Sequence, residues 1–223
     1  MPLPNDLGFL EIKETFVSIQ GEGPFAGQPA FFVRLAGCNL SCPLCDTDHT
    51  EGASRIEVSD LIGLIELKCP PNKLVVITGG EPFLHDITKL CQKLIYYGFR
   101  VQVETNGTLY QPQFPYTFTV IVCSPKTKLI DLRLVQYVDA FKYVIRAGEY
   151  CGKNGLPFNV LGKHVPPHAA APPFNFNLSD IYIQPCDEKD EERNAENLAA
   201  AIEICEAFGY TLCLQLHKII GKE

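Results

Sequence analysis

The chain has no run of about 18 apolar residues, so nothing in its 223 residues reads as a membrane span. It is also short of positive charge: 19 Lys and Arg stand against 26 Asp and Glu, a net charge of -7. That balance excludes the broad basic footprint that nucleic-acid binding needs, so an anionic ligand must be caught by a few placed groups. The opening residues, Met1-Pro2-Leu3-Pro4-Asn5-Asp6, carry neither a basic nor an apolar leader segment. No secretion signal is expected, and a cytoplasmic chain is. Internal repeats and low-complexity linkers are missing too. At this length one core suffices, and a single domain spanning residues 1–223 is expected. No second close-spaced set of cysteines accompanies the group at residues 38–45. Cys69, Cys91, Cys123, Cys151, Cys186, Cys205 and Cys213 are isolated and mostly in apolar surroundings, so they read as free thiols packed like small hydrophobes.

What is present is an alternation of apolar runs and helical patterns. Residues 10–19 form a half-buried strand ended by Gln20-Gly21-Glu22-Gly23-Pro24, and residues 31–35 a second strand leading into the cysteines. Ser59 caps a helix to Lys68, stopped by Cys69-Pro70-Pro71. Residues 74–78 are almost all apolar, as a parallel strand covered on both faces requires. A helix opens at Asp86, with Ile87, Leu90, Leu94 and Ile95 at helical spacing, and closes at Gly98. Strands are expected at 100–104, 119–123, 140–145, 181–184 and 211–216, and helices at 129–137 and 190–208. The last helix carries Leu198, Ile202 and Cys205 on one face and Gly209 as its stop. Residues 147–180 are rich in Gly, Pro, Asn and Ala and read as a long loop, of a length usually reserved for function. The fold class is α/β, a partial TIM barrel of about six βα units whose parallel sheet is open at one edge. Ligands collect over the carboxyl ends of such strands.

The stretch that demands explanation is Cys38-Asn39-Leu40-Ser41-Cys42-Pro43-Leu44-Cys45-Asp46-Thr47. Three thiols in so short a loop are expected to converge on one metal centre. A structural zinc needs a fourth Cys or His, for which His49 is the nearby residue. A 4Fe-4S cluster held by three thiolates would keep one iron open to a small molecule. Thr78-Gly79-Gly80-Glu81-Pro82, one strand later, places two glycines where a backbone can approach a ligand.

The C-x3-C-x2-C spacing resembles that of the radical S-adenosylmethionine (SAM) superfamily, and the Gly-Gly-Glu-Pro loop resembles the superfamily's SAM-amine motif. Phe16 to Gly23, Arg34-Leu35-Ala36-Gly37-Cys38, Cys45-Asp46-Thr47, Ser124-Pro125-Lys126 and Gln215-Leu216-His217-Lys218 are together similar to the 7-carboxy-7-deazaguanine synthases. The resemblance covers most of the chain. It implies a lyase that turns 6-carboxy-5,6,7,8-tetrahydropterin into 7-carboxy-7-deazaguanine with loss of ammonia, in queuosine and 7-deazapurine biosynthesis. Hydrogen is abstracted at the substrate's C6, and SAM is regenerated. It implies Cys38, Cys42 and Cys45 for the 4Fe-4S cluster and Thr47 for magnesium. Ile19, Gln20, Gly21, Glu22, Arg34, Thr78 and His217 are implied for the substrate. Leu44, Asp46, Gly80, Ser124, Pro125, Lys126, Gln184, Pro185, Cys186 and Asp187 are implied for SAM. No general base is assigned. Leu44 departs from the pattern, since the family commonly has an aromatic residue there. The resemblance also implies a homodimer and a low-potential electron donor such as flavodoxin, with neither nucleic acid nor membrane as partner. Two other readings stay open: another small radical SAM enzyme, such as a glycyl-radical-enzyme activase, and a zinc-stabilised binding module without turnover.

Overall fold

The computed structural model describes residues 8–45, 47, 48 and 52–222. Asp46 and His49 lie outside the described residues. The strands are β1 (Phe9–Ile19), β2 (Pro29–Leu35), β3 (Ser54–Glu57), β4 (Leu74–Gly79), β5 (Arg100–Thr105), β6 (Thr119–Cys123), β7 (Ala140–Ile145), β8 (Asn159–Val160), β9 (Lys163–His164), β10 (Ile181–Pro185) and β11 (Thr211–Leu212). The helices are α1 (Val58–Lys68), α2 (Thr88–Tyr96), α3 (Leu132–Val135), α4 (Glu191–Phe208) and α5 (Leu216–Ile219). One nine-stranded sheet runs in the order β11-β10-β7-β6-β5-β4-β2-β1-β3, and β8 and β9 form a separate hairpin. Within the nine-stranded sheet the pairings among β2, β4, β5, β6, β7, β10 and β11 are all parallel, and β1 pairs antiparallel with both β2 and β3. The sheet is therefore mostly parallel and open, compatible with a partial barrel and not closed.

Six crossovers join the parallel strands; four carry an α-helix (α1, α2, α3 and α4), and among the described residues the other two carry a short 3-10 turn and no α-helix. Strand alternation divides the sheet into two faces. Phe31, Val33, Leu35, Val75, Ile77, Val101, Val103, Ile121, Phe141, Tyr143 and Ile183 join one core with the buried faces of the helices. The opposite face carries a smaller apolar patch of Ala30, Phe32, Leu74 and Val76, with Phe16 and Phe25 against it. Further along the same strands that face turns polar, through Arg34, Thr78, Glu104 and Lys142. A register shift between Ile12 and Glu14 moves the later half of β1 onto this face: Glu14 opposes Arg34 and Phe16 opposes Phe32.

Four expectations need correction. Ser59 does not cap α1: the helix starts after Glu57 with no side-chain cap, and Ser59 instead donates to the Glu57 carboxylate at 2.7 Å. The helix expected over 129–137 shrinks to α3, capped by Asp131, whose side chain accepts from Arg133 N–H. In α4 the buried residues are Asn197, Ala200, Ala201 and Ile204, while Leu198 and Ile202 are exposed. The reason is Asn197, which donates to Cys186 O and Glu188 and accepts from Ala147 N–H, pulling that polar stripe inward. The strand expected over 211–216 ends at Leu212, and the chain then turns into α5.

Candidate functional site

Because β2, β4, β5, β6, β7 and β10 are parallel, their following loops all emerge at one end of the sheet. Those loops hold the three thiols, Gly79-Gly80, Asn106-Gly107, Ser124-Pro125-Lys126 and Pro185 to Asp187. β1 runs the other way, so Ile19 opposes Pro29 at the far end. The turn after it then crosses the polar face. Gln20 Nε2 donates to Glu104 Oε1 at 2.9 Å, Gly23 N–H points at Cys213 Sγ at 3.4 Å, and Lys142 Nζ contacts Glu22 Oε2. Leu216 N–H donates to Gly21 O at 3.2 Å, so the start of α5 meets the turn after β1.

At the centre of this face Lys142 lies between two carboxylates, bonded to Glu22 and 4.0 Å from Glu104 Oε2. Gln215 Nε2 donates to Glu22 Oε1 at 2.9 Å, and Thr78 Oγ1 and Gln102 Nε2 donate to Glu104 at 3.3 and 3.0 Å. Burial alone would push the Glu22 carboxyl up, but the Lys142 ammonium outweighs it and holds it down at about 2. Burial likewise pushes Lys142 down, and the two carboxylates more than reverse it, so its ammonium is held well above the ordinary range. Glu22 is thus an ionised hydrogen-bond acceptor in a nearly dry site. Sequence reading gave Glu104, Lys142 and Gln215 no site role, although Gln215 stands in the Gln215–Lys218 motif.

Arg34 stands between this polar layer and the cysteine loop. Its Nε lies 2.7 Å from Glu14 Oε1, at an angle outside hydrogen-bond geometry. Its Nη1 donates to Thr47 Oγ1 at 3.1 Å, and its guanidinium sits 5.6 Å from the Phe16 ring centre. The planar fork, with one nitrogen on Thr47, can still present an edge to a carboxylate. His217, expected on a strand, is on α5 and packs against Gly21: a Cβ there would be 2.0 Å from His217 Nδ1.

The three thiols share one neighbourhood without forming the closed set the spacing implies. Among the described residues no three His, Cys, Asp or Glu side chains stand close enough to hold a metal ion. Cys38 Sγ accepts from Leu40 N–H at 3.4 Å and Cys45 Sγ turns to Thr47 O at 3.5 Å, so two sulfurs face their own loop backbone. Burial pushes the Cys38 and Cys42 thiols up, while the Lys126 and Lys163 ammonium groups pull Cys42 down. Three soft donors on one loop, with two cations beside them to offset thiolate charge, fit an iron-sulfur cluster.

The glycine pair serves this loop directly. A Cβ on Gly79 would stand 2.2 Å from Leu35 O, and one on Gly80 1.9 Å from Gly37 O and 3.0 Å from Cys38 Cβ. Gly80 N–H donates to Leu35 O and Glu81 N–H to Gly37 O, so the pair lets two loops lie backbone to backbone. Glu81 is fully buried and accepts from Thr105 Oγ1 and Asn106 N–H at 2.7 Å and from Phe83 N–H at 3.0 Å. It staples the ends of β4 and β5, a role the motif alone does not reveal. Ser124 Oγ donates to Lys142 O at 2.8 Å, and Lys126 Nζ returns to Ser124 O at 3.0 Å. Pro125, Gln184 and Cys186 are buried. The amide and carbonyl of Cys186 bond to Ile145 O and Asn197. Asp187 accepts from Lys218, Lys189 N–H and Asn194, which hold its carboxyl at about 2. The arrangement gathers the cysteine loop with Leu44, Gly80 and Lys126, and gathers Gln20, Glu22 and Thr78 on the polar face. Asp187 is tied to α5 through Lys218.

The radical SAM superfamily model matches residues 33–118. A 7-carboxy-7-deazaguanine synthase from Rhodospirillum rubrum is 42% identical over 229 residues, covering 98% of this chain and 95% of the relative. The chain belongs to the 7-carboxy-7-deazaguanine synthase family. A second member, from Rickettsia prowazekii, is 36% identical over 225 residues, covering 96% of this chain and 89% of its own. The crystal structure of QueE from Escherichia coli superposes with a TM-score of 0.68 at 24% identity over 93% of this chain and 94% of that one, which supports the shared fold. Membership of the radical SAM superfamily implies a 4Fe-4S cluster and SAM for this synthase family. No helix among the described residues is long and apolar enough to cross a membrane.

Proposed function

We propose that the chain converts 6-carboxy-5,6,7,8-tetrahydropterin to 7-carboxy-7-deazaguanine with release of ammonia, as a step of queuosine and 7-deazapurine biosynthesis. The observation that best supports this reading is the presence, on the polar face of the sheet, of both a guanidinium at Arg34 and an ionised acceptor at Glu22. A pterin carrying a carboxylate at one end and N–H donors at the other needs both. Arg34 takes the carboxylate as a bidentate fork. Glu22, with Gln20 and the backbone of Ile19 and Gly21, accepts from the guanidine-like edge, and Thr78 contacts the ring between them. Lys142 keeps Glu22 ionised and therefore unable to donate, which fixes the orientation of the bound ring. His217 closes the substrate end against Gly21.

Cys38, Cys42 and Cys45 hold the cluster. Leu44, Gly80, Ser124 to Lys126 and Gln184 to Asp187 line the SAM position, with Asp46 assigned by family likeness alone. When bound, the cluster and SAM supply the one-electron chemistry that opens the substrate C6–H bond. Thr47 is the magnesium ligand in this reading. Its hydroxyl oxygen, which now accepts from Arg34, would pass to the cation, leaving the guanidinium to the substrate carboxylate, and water would fill other positions. The proposal includes a flavodoxin-type electron donor and a homodimer. No residue here is required as a general base.

The test is anaerobic incubation of reconstituted protein with the carboxytetrahydropterin, SAM, magnesium and a reductant, read by mass spectrometry. The deazaguanine product is expected, with its rate reduced when magnesium is omitted. No product from iron-loaded protein would reject the substrate assignment and favour another radical SAM reaction. Zinc in place of iron and sulfide would reject the radical reading as a whole.

A further inference from the structure

The segment between β7 and β10 contains the β8–β9 hairpin, whose tip lies against the cysteine loop. The strands pair antiparallel, Asn159 with His164 and Val160 with Lys163, across a two-residue turn. Both turn residues are left-handed, Leu161 at φ 51° and Gly162 at φ 81°, as the tight hairpin turn that matches strand twist requires. Leu161 O accepts from Leu44 N–H at 3.0 Å. Gly162 leaves little room for a side chain: a Cβ there would stand 3.1 Å from Pro43 Cβ and 3.4 Å from both Pro43 Cγ and Leu44 Cγ, so the cysteine loop must give by a few tenths of an ångström to admit it.

The arm that carries this tip is rooted in the fold. Val160, Val165, Leu156, Ala169 and Ala170 are all buried in the main core. Val165 N–H donates to Phe158 O and Ala169 N–H to Pro157 O, both at 2.8 Å. Ala170 N–H donates to Thr127 O at 2.8 Å and Ala170 O accepts from Tyr143 OH at 2.7 Å, tying the same segment to the turn after β6 and to β7. Leu44 itself is 40% exposed and, being aliphatic, cannot stack on a base. A side chain that makes only loose contact gains most from being held in advance.

We propose that the β8–β9 hairpin is a positioning clamp: Leu161 and Gly162 hold Pro43 and Leu44 so that the cysteine loop meets SAM in one preset conformation. The clamp rests on the functional reading above. Leu161 and Gly162 are positioning residues, since they touch the loop and not the ligand.

Gly162→Ala and Gly148→Ala separate the clamp from simple strain. Gly148 lies in the same segment, is left-handed at φ 72°, and has nothing within 4 Å of an added Cβ. Both changes impose a comparable backbone cost, and only the first presses on Pro43 and Leu44. Gly162→Asn keeps the added carbon in a residue that tolerates the left-handed region. Reconstituted proteins are titrated with SAM by the change in the reduced cluster's EPR spectrum, and exchange of the peptide containing Leu44 is followed by hydrogen-deuterium mass spectrometry. Gly162→Ala and Gly162→Asn are expected to bind SAM about tenfold more weakly and to exchange that peptide about tenfold faster, with Gly148→Ala unchanged in both. If wild type responds to SAM and the Gly162 variants match Gly148→Ala, the clamp alone is overturned. If wild-type protein shows no cluster or no response to SAM, the functional reading falls and the clamp falls with it.

Discussion

Replacing Lys142 with Met removes the one cation between Glu22 and Glu104 while keeping most of the side-chain volume. The three side chains are only 10%, 12% and 19% exposed for Lys142, Glu22 and Glu104, so water cannot take the ammonium's place. Removing one partner of such a buried pair costs about 3–5 kcal/mol. The net lowering of the Glu22 carboxyl from 4.5 to about 2, in which Lys142, Gln215 and His217 together act against burial, is worth about 3 kcal/mol. The sign follows from linkage. A depressed carboxyl stabilises the fold above its unfolded value of 4.5, and that stabilisation is lost as pH falls toward 2. Without Lys142, burial dominates and the Glu22 carboxyl rises, so it charges only at a cost to the fold. Urea denaturation of wild type and K142M from pH 3 to pH 8 should therefore show a deficit of about 3 kcal/mol near neutrality that shrinks steadily in acid. A deficit of equal size at both ends of the range would mean that lost packing, not charge, is responsible.

Glu81→Gln replaces an acceptor of three hydrogen bonds with a group that must point a donor at one of them; a loss of about 2 kcal/mol, or about 4–8 °C in Tm, is expected by calorimetry. An unchanged Tm would remove Glu81 from its stapling role. Gly79→Ala, with its Cβ 2.2 Å from Leu35 O at φ 130°, should yield insoluble protein, and soluble expression at the wild-type level would show that the two loops separate easily. Arg34→Lys loses the bidentate fork and should raise the KM for the carboxytetrahydropterin about tenfold with a smaller change in kcat; equal KM values would place the substrate carboxylate elsewhere. Cys42→Ala should leave reconstituted protein without the iron and sulfide of a 4Fe-4S cluster, whereas Cys91→Ala, buried in the core far along the chain, should retain both. Equal loading of the two would separate the cluster from the 38–45 loop.

Much of the sheet was legible because a strand buried on both faces is largely apolar, as 74–78 and 119–123 are, and as 140–145 is apart from Lys142. Asp190 and Gly209 marked the ends of α4 for equally local reasons: a carboxylate that accepts from Arg193 N–H and a residue at φ 73°. The parallel direction of the later strands was legible in their apolar runs and the helical patterns between them, but a half-buried strand reads the same whether parallel or antiparallel, so the antiparallel pairing of β1 was not. The inward face of α4 was misread because Asn197, buried with three hydrogen bonds, looks polar in sequence while Leu198 and Ile202 on the other side look like core. The motif residues of the site were legible through family likeness, but the site roles of Lys142, Glu104 and Gln215 were not. Their meaning lies in meeting one another from strands and turns far apart in the chain. The hairpin at 159–164 lay hidden within a stretch whose composition signals only loop.

In the proposed function the polar face of the sheet binds a carboxylated pterin beneath a three-thiol cluster loop. The most direct measurement is turnover by the reconstituted protein with product, ammonia and SAM all quantified. 7-Carboxy-7-deazaguanine and ammonia should appear in equal amounts while SAM is conserved over many turnovers. Consumption of SAM without either product, by protein shown to carry its full complement of iron and sulfide, would contradict it.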